Sequence, residues 1–301
     1  MIFKKVTKIG LLTLGAGVVF AACSANSGNS SGNQGTSAPP VKPVSSYAGP
    51  TGILGAGAPQ SNNMMWLLAN STGNKTIVQI NLNNGNLGSP QPESANASAI
   101  AENVKGIIAV GTSAGSGGAV ELRNGTNGAL IATTPVSAPV VDIAPSADGS
   151  SFYVLTKLGS VSAVQVVSSG GRGVVGNSIP VAGDTISMVP SADGNFLFYL
   201  EPNGEVTEIS TAGGGSQAHF QVGANAKALA LSSDSQTLFV LKCPLGSCNV
   251  SVVDVVGQQV EKVIPAPIDT VQIQVSPDGS KIWDAVGNPA YGNVQAFSLT
   301  G

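Results

Sequence analysis

Short runs in which apolar and polar residues alternate, each bounded by Gly, Asn, Asp or Ser, fill most of the chain after residue 50. Such alternation predicts half-buried β-strands joined by tight turns. A polar turn followed by a strand with one large apolar or aromatic residue recurs at intervals of 42, 45, 45, 41 and 44 residues. The large residues of these units are Trp66, Ile108, Tyr153, Phe198, Phe239 and Trp283. Because four-stranded propeller blades repeat roughly every 40–45 residues, the pattern predicts an all-β propeller of six blades, with seven blades as an alternative.

The last repeat unit ends with Val294–Leu299 as its third strand, so it lacks an outer strand. An open ring would leave unpaired strand edges, which invite aggregation. We therefore expect Val41–Tyr47, which precedes the first unit, to complete the last blade. A β-sandwich with irregular hairpins is the alternative fold, although the regularly spaced units are too many for a seven-stranded sandwich.

The turn of the repeat is clearest in Ser146-Ala147-Asp148-Gly149, and closely similar turns begin at Ser191 and Ser276. Asp in such a turn accepts hydrogen bonds from the backbone of the turn itself. We interpret the turn as a structural hinge between the inner and second strands of each blade. A calcium site would need several oxygen ligands converging from one loop, and the sequence contains no such run.

The first 22 residues have the layout of a secretory signal, with a positively charged start and an apolar run from Ile9 to Phe20. The run is shorter than the ~20 residues of a membrane-spanning helix. It ends in Phe20-Ala21-Ala22-Cys23, which resembles the bacterial lipobox. The resemblance implies that Cys23 is diacylated and holds the protein to the lipid bilayer, with an ordinary signal peptide as the alternative. Ser24 after it resembles an outer-membrane address in a Gram-negative host, on the periplasmic or the surface face.

Residues 23–50 are rich in Ser, Gly, Asn and Pro, and Lys42 is their only charged residue. A segment of this composition cannot bury a core and is typical of a flexible tether. The sequence therefore predicts a lipoprotein signal peptide at 1–22, a lipidated cysteine and tether at 23–50, and a propeller domain at 51–301.

A family resemblance adds to this prediction. The stretch from Leu67 to Ile80, in which a strand leads through an Asn-containing turn into a Val/Ile-rich strand, resembles the YVTN-type β-propeller repeat. Ser276-Pro277-Asp278-Gly279 followed by an aromatic strand is similar to the other half of that repeat and to WD40-like units. The resemblance covers about residues 52–301 and implies the propeller fold. It carries no active-site residues over to this chain.

Composition indicates an exported protein without a nucleic-acid partner. Charged residues make up only 10% of the chain, while Gly is plentiful at 39 residues. Three of the 13 Lys and Arg lie in the leader, which leaves 10 basic against 16 acidic side chains, a net charge of −6. Because no basic block remains to neutralise phosphates, we expect no nucleic-acid binding.

Catalytic and metal-binding residues are sparse. His219 is the only histidine, whereas zinc and iron sites normally take two or three imidazoles or thiolates. Gly111-Thr112-Ser113-Ala114-Gly115 matches G-x-S-x-G, but a nucleophile elbow needs a following helix, and the residues after it read as a hairpin loop and a strand. We therefore expect that the protein is not an enzyme and that it binds neither a metal ion nor a cofactor.

Two features are candidates for a functional site. Cys243 and Cys248 flank a Pro/Gly turn and predict a disulfide in an oxidising compartment, with a loose metal clip as the alternative. Four polar residues fall on predicted inner strands and are expected to line the central channel. They are Asp142, Thr185, Lys227 and Gln272.

These expectations favour a membrane-anchored exported lipoprotein of the cell envelope. Its propeller would serve as a binding or scaffold domain for a protein or glycan partner. The alternatives are an envelope assembly factor and a propeller enzyme of the lactonase or dehydrogenase type, and the fold alone does not choose among them. We expect partner contacts in the variable loops, above all Cys243–Cys248 and Thr112–Gly118.

Overall fold

The computed structural model describes residues 43–71, 73–212 and 215–299, which all belong to one compact unit. The predicted signal peptide and Cys23 lie outside the described residues. The described backbone forms twenty-four β-strands in six four-stranded antiparallel sheets and contains no helix. The predicted six-bladed β-propeller is confirmed. Within the described part of the chain, no segment forms a helix capable of crossing a membrane.

Strand β1 (Ser45–Gly49) comes first in the chain but belongs to the last blade. Blades 1 to 3 each use four consecutive strands, from the innermost outward. Blade 1 consists of β2 (Ile53–Ala56), β3 (Met64–Ser71), β4 (Asn74–Asn81) and β5 (Gln91–Pro92). Blade 2 consists of β6 (Ala97–Glu102), β7 (Ile107–Ala114), β8 (Gly117–Asn124) and β9 (Leu130–Val136). Blade 3 consists of β10 (Val140–Pro145), β11 (Ser151–Leu158), β12 (Val161–Ser168) and β13 (Ile179–Val181).

Blades 4 and 5 follow the same order, and blade 6 differs only in the origin of its outer strand. Blade 4 consists of β14 (Ser187–Pro190), β15 (Phe196–Leu200), β16 (Glu205–Ser210) and β17 (Ser216–Gln221). Blade 5 consists of β18 (Ala226–Leu231), β19 (Thr237–Lys242), β20 (Cys248–Asp254) and β21 (Gln259–Ala266). Blade 6 consists of β22 (Thr270–Val275), β23 (Lys281–Asn288), β24 (Tyr291–Ser298) and β1.

The N-terminal strand closes the ring. β1 pairs antiparallel with β24, from Ser45 opposite Ala296 to Gly49 opposite Gly292. The ring of Tyr47 stacks on Trp283, with centroids 6.3 Å apart and an interplanar angle of 19°. This confirms that a segment upstream of the first unit completes the last blade, shifted a few residues from Val41–Tyr47. β1 lies inside the 23–50 segment expected to be tether, so the folded body begins before residue 51.

The apolar core is divided among the spaces between neighbouring blades. The described residues form six buried hydrophobic clusters, each shared by two adjacent blades. Trp66 packs with Ile108 between blades 1 and 2, and Trp283 packs with residues of blade 1. The large residue of each repeat unit therefore holds one blade against the next, which explains why the sequence repeats it.

The Ser-x-Asp turns are hinges, as predicted. In blade 3 the hydroxyl of Ser146 donates to Asp148 Oδ1 at 2.7 Å, and the backbone N–H of Ser150 donates to the same oxygen at 2.9 Å. The backbone hydrogen bond from Ser150 is the main reason that the pKa of Asp148 falls to about 2. The same arrangement recurs around Asp193, Asp234 and Asp278.

Blade 2 departs from the expected pattern. Its second strand, β7, runs from Ile107 to Ala114 and pairs with β8 throughout, so it includes the first residues of the segment expected to be a loop. The Gly111–Gly115 match therefore lies almost wholly on a strand, and only Gly115 and Ser116 form the turn. Expecting Thr112–Gly118 to be a variable loop was wrong. Small residues such as Gly118, where a Cβ would lie 2.6 Å from Ala138 O, let the chain pack close to the next segment.

Candidate functional site

A cavity of about 360 Å³ lies at the centre of the ring, between the inner strands. Residues of three turns that follow inner strands, including Ser146, Ser191 and Ser232, line its mouth. We call the side of the ring that carries these turns the hinge face. The opposite side, which carries the loop between Cys243 and Cys248, is called the disulfide face. Pockets of 300 to 1,000 Å³ are typical of small-molecule sites, so the cavity is the first candidate site.

One position on the inner strands contributes three residues to the lining of the cavity, namely Asp142, Ser187 and Gln272. The register between the inner and second strands identifies equivalent residues in the six blades. Asp142, which lies opposite Leu155, is for example equivalent to Gln272, which lies opposite Ala285. The six equivalent residues are Gly55, Ala99, Asp142, Ser187, Ala228 and Gln272. Three of them are polar and three are small. At Gly55, a Cβ would come within 3.1 Å of Gln272 Oε1, so this close approach favours glycine.

Asp142 lines the cavity and is half-buried. Its Oδ1 accepts the backbone N–H of Ile143 at 2.9 Å, and its Oδ2 accepts the N–H of Met188 in the next blade at 3.0 Å. Burial raises the pKa of the carboxyl to about 6, although hydrogen bonds from Met188, Ser187 and Ile143 act in the opposite direction. The carboxylate thus joins two blades and presents its negative charge to the cavity.

Ser187 and Gln272 make the same kind of contact at the equivalent position. Ser187 Oγ accepts the N–H of Leu229 at 3.2 Å, and Gln272 Oε1 accepts the N–H of Ala56 at 2.9 Å. Gln274, two residues further along β22, donates from Nε2 to Ala56 O at 3.0 Å. In three of the six blades, a polar side chain therefore ties the inner strand to the next blade and also borders the cavity.

The structure places two of the four expected lining residues at the cavity and two elsewhere. Asp142 and Gln272 line it. Thr185 is buried before β14 begins, and its hydroxyl donates to Ala182 O at 2.7 Å, so it stabilises the turn that enters the strand. Lys227 is exposed and sits in a bulge, because the register jumps from Ala226 to Ala228. Neither Thr185 nor Lys227 is among the residues that line this cavity.

Sequence reasoning missed Ser187 and Gln274 as lining residues. In blade 4 the register is regular, and Ser187 was missed because the strand begins there, two residues after Thr185. The other five inner strands contain a bulge next to the lining position, which alternation along one strand does not reveal. A bulge adds one residue and turns the following side chains to the other face. The second strands are more regular, and their pairing identifies the lining residues. Leu155 lies opposite Asp142, and Leu200 lies opposite Ser187.

The predicted disulfide joins Cys243 and Cys248, with an S–S distance of 1.98 Å. It closes the hairpin between β19 and β20, and Cys243 Sγ lies 3.8 Å from Thr270 O at the start of blade 6. Within the closed loop, Leu245 is fully exposed to solvent. The disulfide therefore holds an apolar side chain out from the disulfide face.

Two more exposed apolar residues lie next to this loop. Ile268 and Tyr291 are 54% and 44% exposed. The hydroxyl of Tyr291 donates to Asp269 Oδ2 at 3.0 Å, and the Asn288 amide donates to the same oxygen at 3.0 Å. These hydrogen bonds, together with the contact between Cys243 and Thr270, link the three loops. We call Leu245, Ile268 and Tyr291 the apolar patch.

Other titratable groups do not assemble a centre. Within the residues that the structure describes, no group of three or more His, Cys, Asp or Glu side chains is placed to hold a metal ion. His219 lies on β17 with 55% of its side chain exposed, and its Nδ1 is 3.0 Å from Thr207 Oγ1 and 3.4 Å from Glu205 Oε1. Glu102 and Asp284 are buried carboxyls whose pKa burial raises to about 8 in each case. Neither lines the axial cavity.

Comparison with protein-family models finds no match, and none of the curated proteins matches either. Among solved structures 1655 chains match, so the fold is common and does not by itself indicate a function. One of them is described as Kuenenia stuttgartiensis hydrazine synthase. It aligns with a TM-score of 0.60 and 12% identity, over 89% of this chain and 99% of that chain. The similarity shows the β-propeller fold alone.

Proposed function

We propose that this protein is an exported lipoprotein, held to the cell envelope through acylated Cys23, whose propeller binds a protein or glycan partner. A propeller of this kind generally suits binding and scaffold roles. The proposal retains the resemblance to YVTN-type repeats and the lipobox-like Phe20–Cys23 as support. In a Gram-negative host, Ser24 favours the outer membrane as the site of attachment.

The observation that carries the binding role is the apolar patch on the disulfide face. A disulfide-closed loop holds Leu245 fully exposed, and exposed apolar residues grouped on neighbouring loops are typical of protein-interaction sites. Tyr291 adds a residue type that is enriched where interfaces gain most of their energy. These features favour a protein over a glycan as the partner.

Two further observations agree with the proposal. The disulfide between Cys243 and Cys248 suits an oxidising compartment outside the cytosol. β1 enters the ring at the hinge face, because Ser45 pairs with Ala296 near the end of β24, beyond the turn that precedes Tyr291. The described chain therefore begins on the side of the ring opposite the apolar patch.

A non-catalytic role is part of the proposal. It is supported by the exposed position of His219 on an outer strand and by the use of Asp142 as a backbone acceptor between blades. The envelope-assembly alternative involves the same surface but a different partner, namely an integral outer-membrane protein. No contact in the described part of the chain specifically favours the lactonase or dehydrogenase alternative.

Site-specific crosslinking in intact cells tests the binding role. Photo-leucine is placed at Leu245 in the full chain and, as a matched control, at Leu158. Leu158 is 50% exposed on the same face of blade 3 but lies outside the apolar patch. We expect one discrete adduct from position 245 and none from position 158. Equal labelling at both positions, or none at position 245, contradicts partner binding by the patch.

Metabolic labelling with a fatty acid tests the anchor in the same cells. The full chain should incorporate label and fractionate with the envelope, while the Cys23→Ser chain should do neither. Recovery of soluble, unacylated chain from the cytosol contradicts the proposed location. If the crosslinked partner is an integral outer-membrane protein, the assembly-factor alternative replaces the general scaffold role.

A further inference from the structure

The axial cavity offers a second site, on the opposite side of the ring from the apolar patch and independent of the proposed function. Its walls consist mainly of aliphatic side chains. The deeper wall includes Ile143, Met188 and Leu229, and the wall nearer the mouth includes Val189, Leu231 and Val275. The equivalent residues of the other three blades, Gly55, Ala99 and Ala228, are small. A ligand that fills this volume must carry an apolar body.

The polar groups deep in the cavity come from the inner strands. Asp142 supplies a carboxylate, and Ser187 supplies a hydroxyl group. Gln272 Oε1 accepts the N–H of Ala56 and Gln274 Nε2 donates to Ala56 O, so both amides keep further hydrogen-bonding capacity but carry no charge. Among the described residues that line the cavity there is no Lys, Arg or His, and Asp142 is the single charged group. The negative charge of the cavity therefore has no compensating cation from the lining.

These features exclude several ligand classes. An anionic ligand would place a second negative charge beside Asp142, in a volume of low dielectric where repulsion is strong. Sugars and quaternary ammonium groups are recognised largely by aromatic faces, and none of the described lining residues is aromatic. A neutral aliphatic ligand would contact the apolar walls but would leave the carboxylate without a charged partner.

A primary ammonium group satisfies each requirement. Its positive charge compensates the carboxylate, and its N–H groups can donate charge-assisted hydrogen bonds to Asp142. The aliphatic chain of such a ligand would contact Met188, Leu231 and neighbouring residues. We propose that the axial cavity binds a small alkylammonium ligand, with the ammonium group at Asp142 and the alkyl chain directed toward the hinge face.

Calorimetric titration of the full chain carrying Cys23→Ser tests the proposal, because this variant has no acyl chain to compete for the probes. The probes are hexylamine, which is protonated at neutral pH, and hexan-1-ol, which is neutral and of nearly the same size. We expect hexylamine to bind at least about tenfold more tightly, since charge-assisted hydrogen bonds are substantially stronger than neutral ones. Equal affinity for the two probes, or no binding of hexylamine, overturns the proposal.

Two variants and a control identify the site. Asp142→Asn should remove the preference for the amine while hexan-1-ol still binds, since the amide keeps the shape of the carboxylate. Asp184→Asn changes the net charge equally at a side chain that is 78% exposed and should leave the preference unchanged. Ala147→Trp places a bulky ring at the exposed rim of the mouth and should abolish binding of both probes while Asp142 is kept. Retention of the preference for the amine in Asp142→Asn, or of amine binding in correctly folded Ala147→Trp, overturns the assignment of the cavity.

Discussion

The buried carboxyl of Asp284 gives the sharpest stability prediction. Asp284 lies in the middle of β23 with no exposed surface, and neither of its carboxyl oxygens has a hydrogen-bond partner. Register places it opposite Ile273. The equivalent residues of the other five blades are Leu67, Val110, Val154, Tyr199 and Val240. Asp284 is therefore the one charged member of a series that packs between blades, and we expect Asp284→Val to stabilise the protein.

The magnitude follows from the titration of this group. Burial raises the pKa of Asp284 from 3.8 to about 8. Between these two values the native state binds more protons than the unfolded state, so stability falls as pH rises from about 4 to about 8. At pH 7 the pH has risen about 3 units above the unfolded pKa, and each unit lowers the unfolding free energy by roughly 1.4 kcal/mol. The upper limit of this loss is therefore about 4 kcal/mol. Asp284→Val should recover about 2–4 kcal/mol at pH 7, since unpaired buried charges carry penalties of this size.

Urea unfolding of the Cys23→Ser chain, measured from pH 5 to pH 8, is the assay. The difference in unfolding free energy between Asp284→Val and the parent should grow with pH, because only the parent titrates at this position. Using the difference removes the contribution of Glu102 and Glu93, whose pKa values are also raised, to about 8 and about 7. Asp284→Asn serves as a control that loses the titration but keeps a buried polar group. A difference that does not change with pH, or a less stable Val variant at pH 7, refutes the reasoning.

Two further predictions concern ring closure and the disulfide. Deleting residues 43–49 removes β1 and exposes the edge of β24, so we expect a loss of about 3–5 kcal/mol, a thermal midpoint lower by about 10 °C, and aggregation visible by light scattering. An unchanged midpoint would mean that β1 does not hold the ring together. Replacing Cys243 and Cys248 by Ser opens a loop with a sequence separation of 5, so the cost in urea unfolding should not exceed about 2 kcal/mol. A loss larger than that would show that the disulfide stabilises more than its own hairpin.

The repeat was predictable because its signals are local. A Ser-x-Asp turn satisfies its own hydrogen bonds within five residues, as from Ser146 to Ser151, so the sequence of the turn is sufficient to recognise it. The large residue after each turn packs against the neighbouring blade, so its spacing reports the size of a blade. Closure by β1 was predictable for the same reason, since the last unit visibly lacked an outer strand.

The lining of the cavity was only half predictable, and a bulge explains one of the two residues that do not line it. A bulge is a property of two paired strands, and alternation along one strand does not reveal it. Lys227 lies in the bulge between Ala226 and Ala228, so Ala228 instead takes the register position equivalent to Asp142. The error at Thr185 has another cause, because its hydroxyl completes a turn before the strand begins.

Asp142 and Asp284 show why equivalence between blades is more informative than burial alone. Asp142 and Asp284 are both carboxyls with raised pKa, but Asp142 receives backbone N–H groups from two blades and faces a cavity. Asp284 receives none and faces apolar neighbours. Polar residues recur at the position of Asp142 in blades 4 and 6, whereas the other five blades place apolar residues at the position of Asp284. The first position therefore combines blade contact with an opening toward solvent, and a ligand can reach its charge there. At the second, only protonation can relieve the charge, which is why we assign ligand binding to Asp142 and a cost in stability to Asp284.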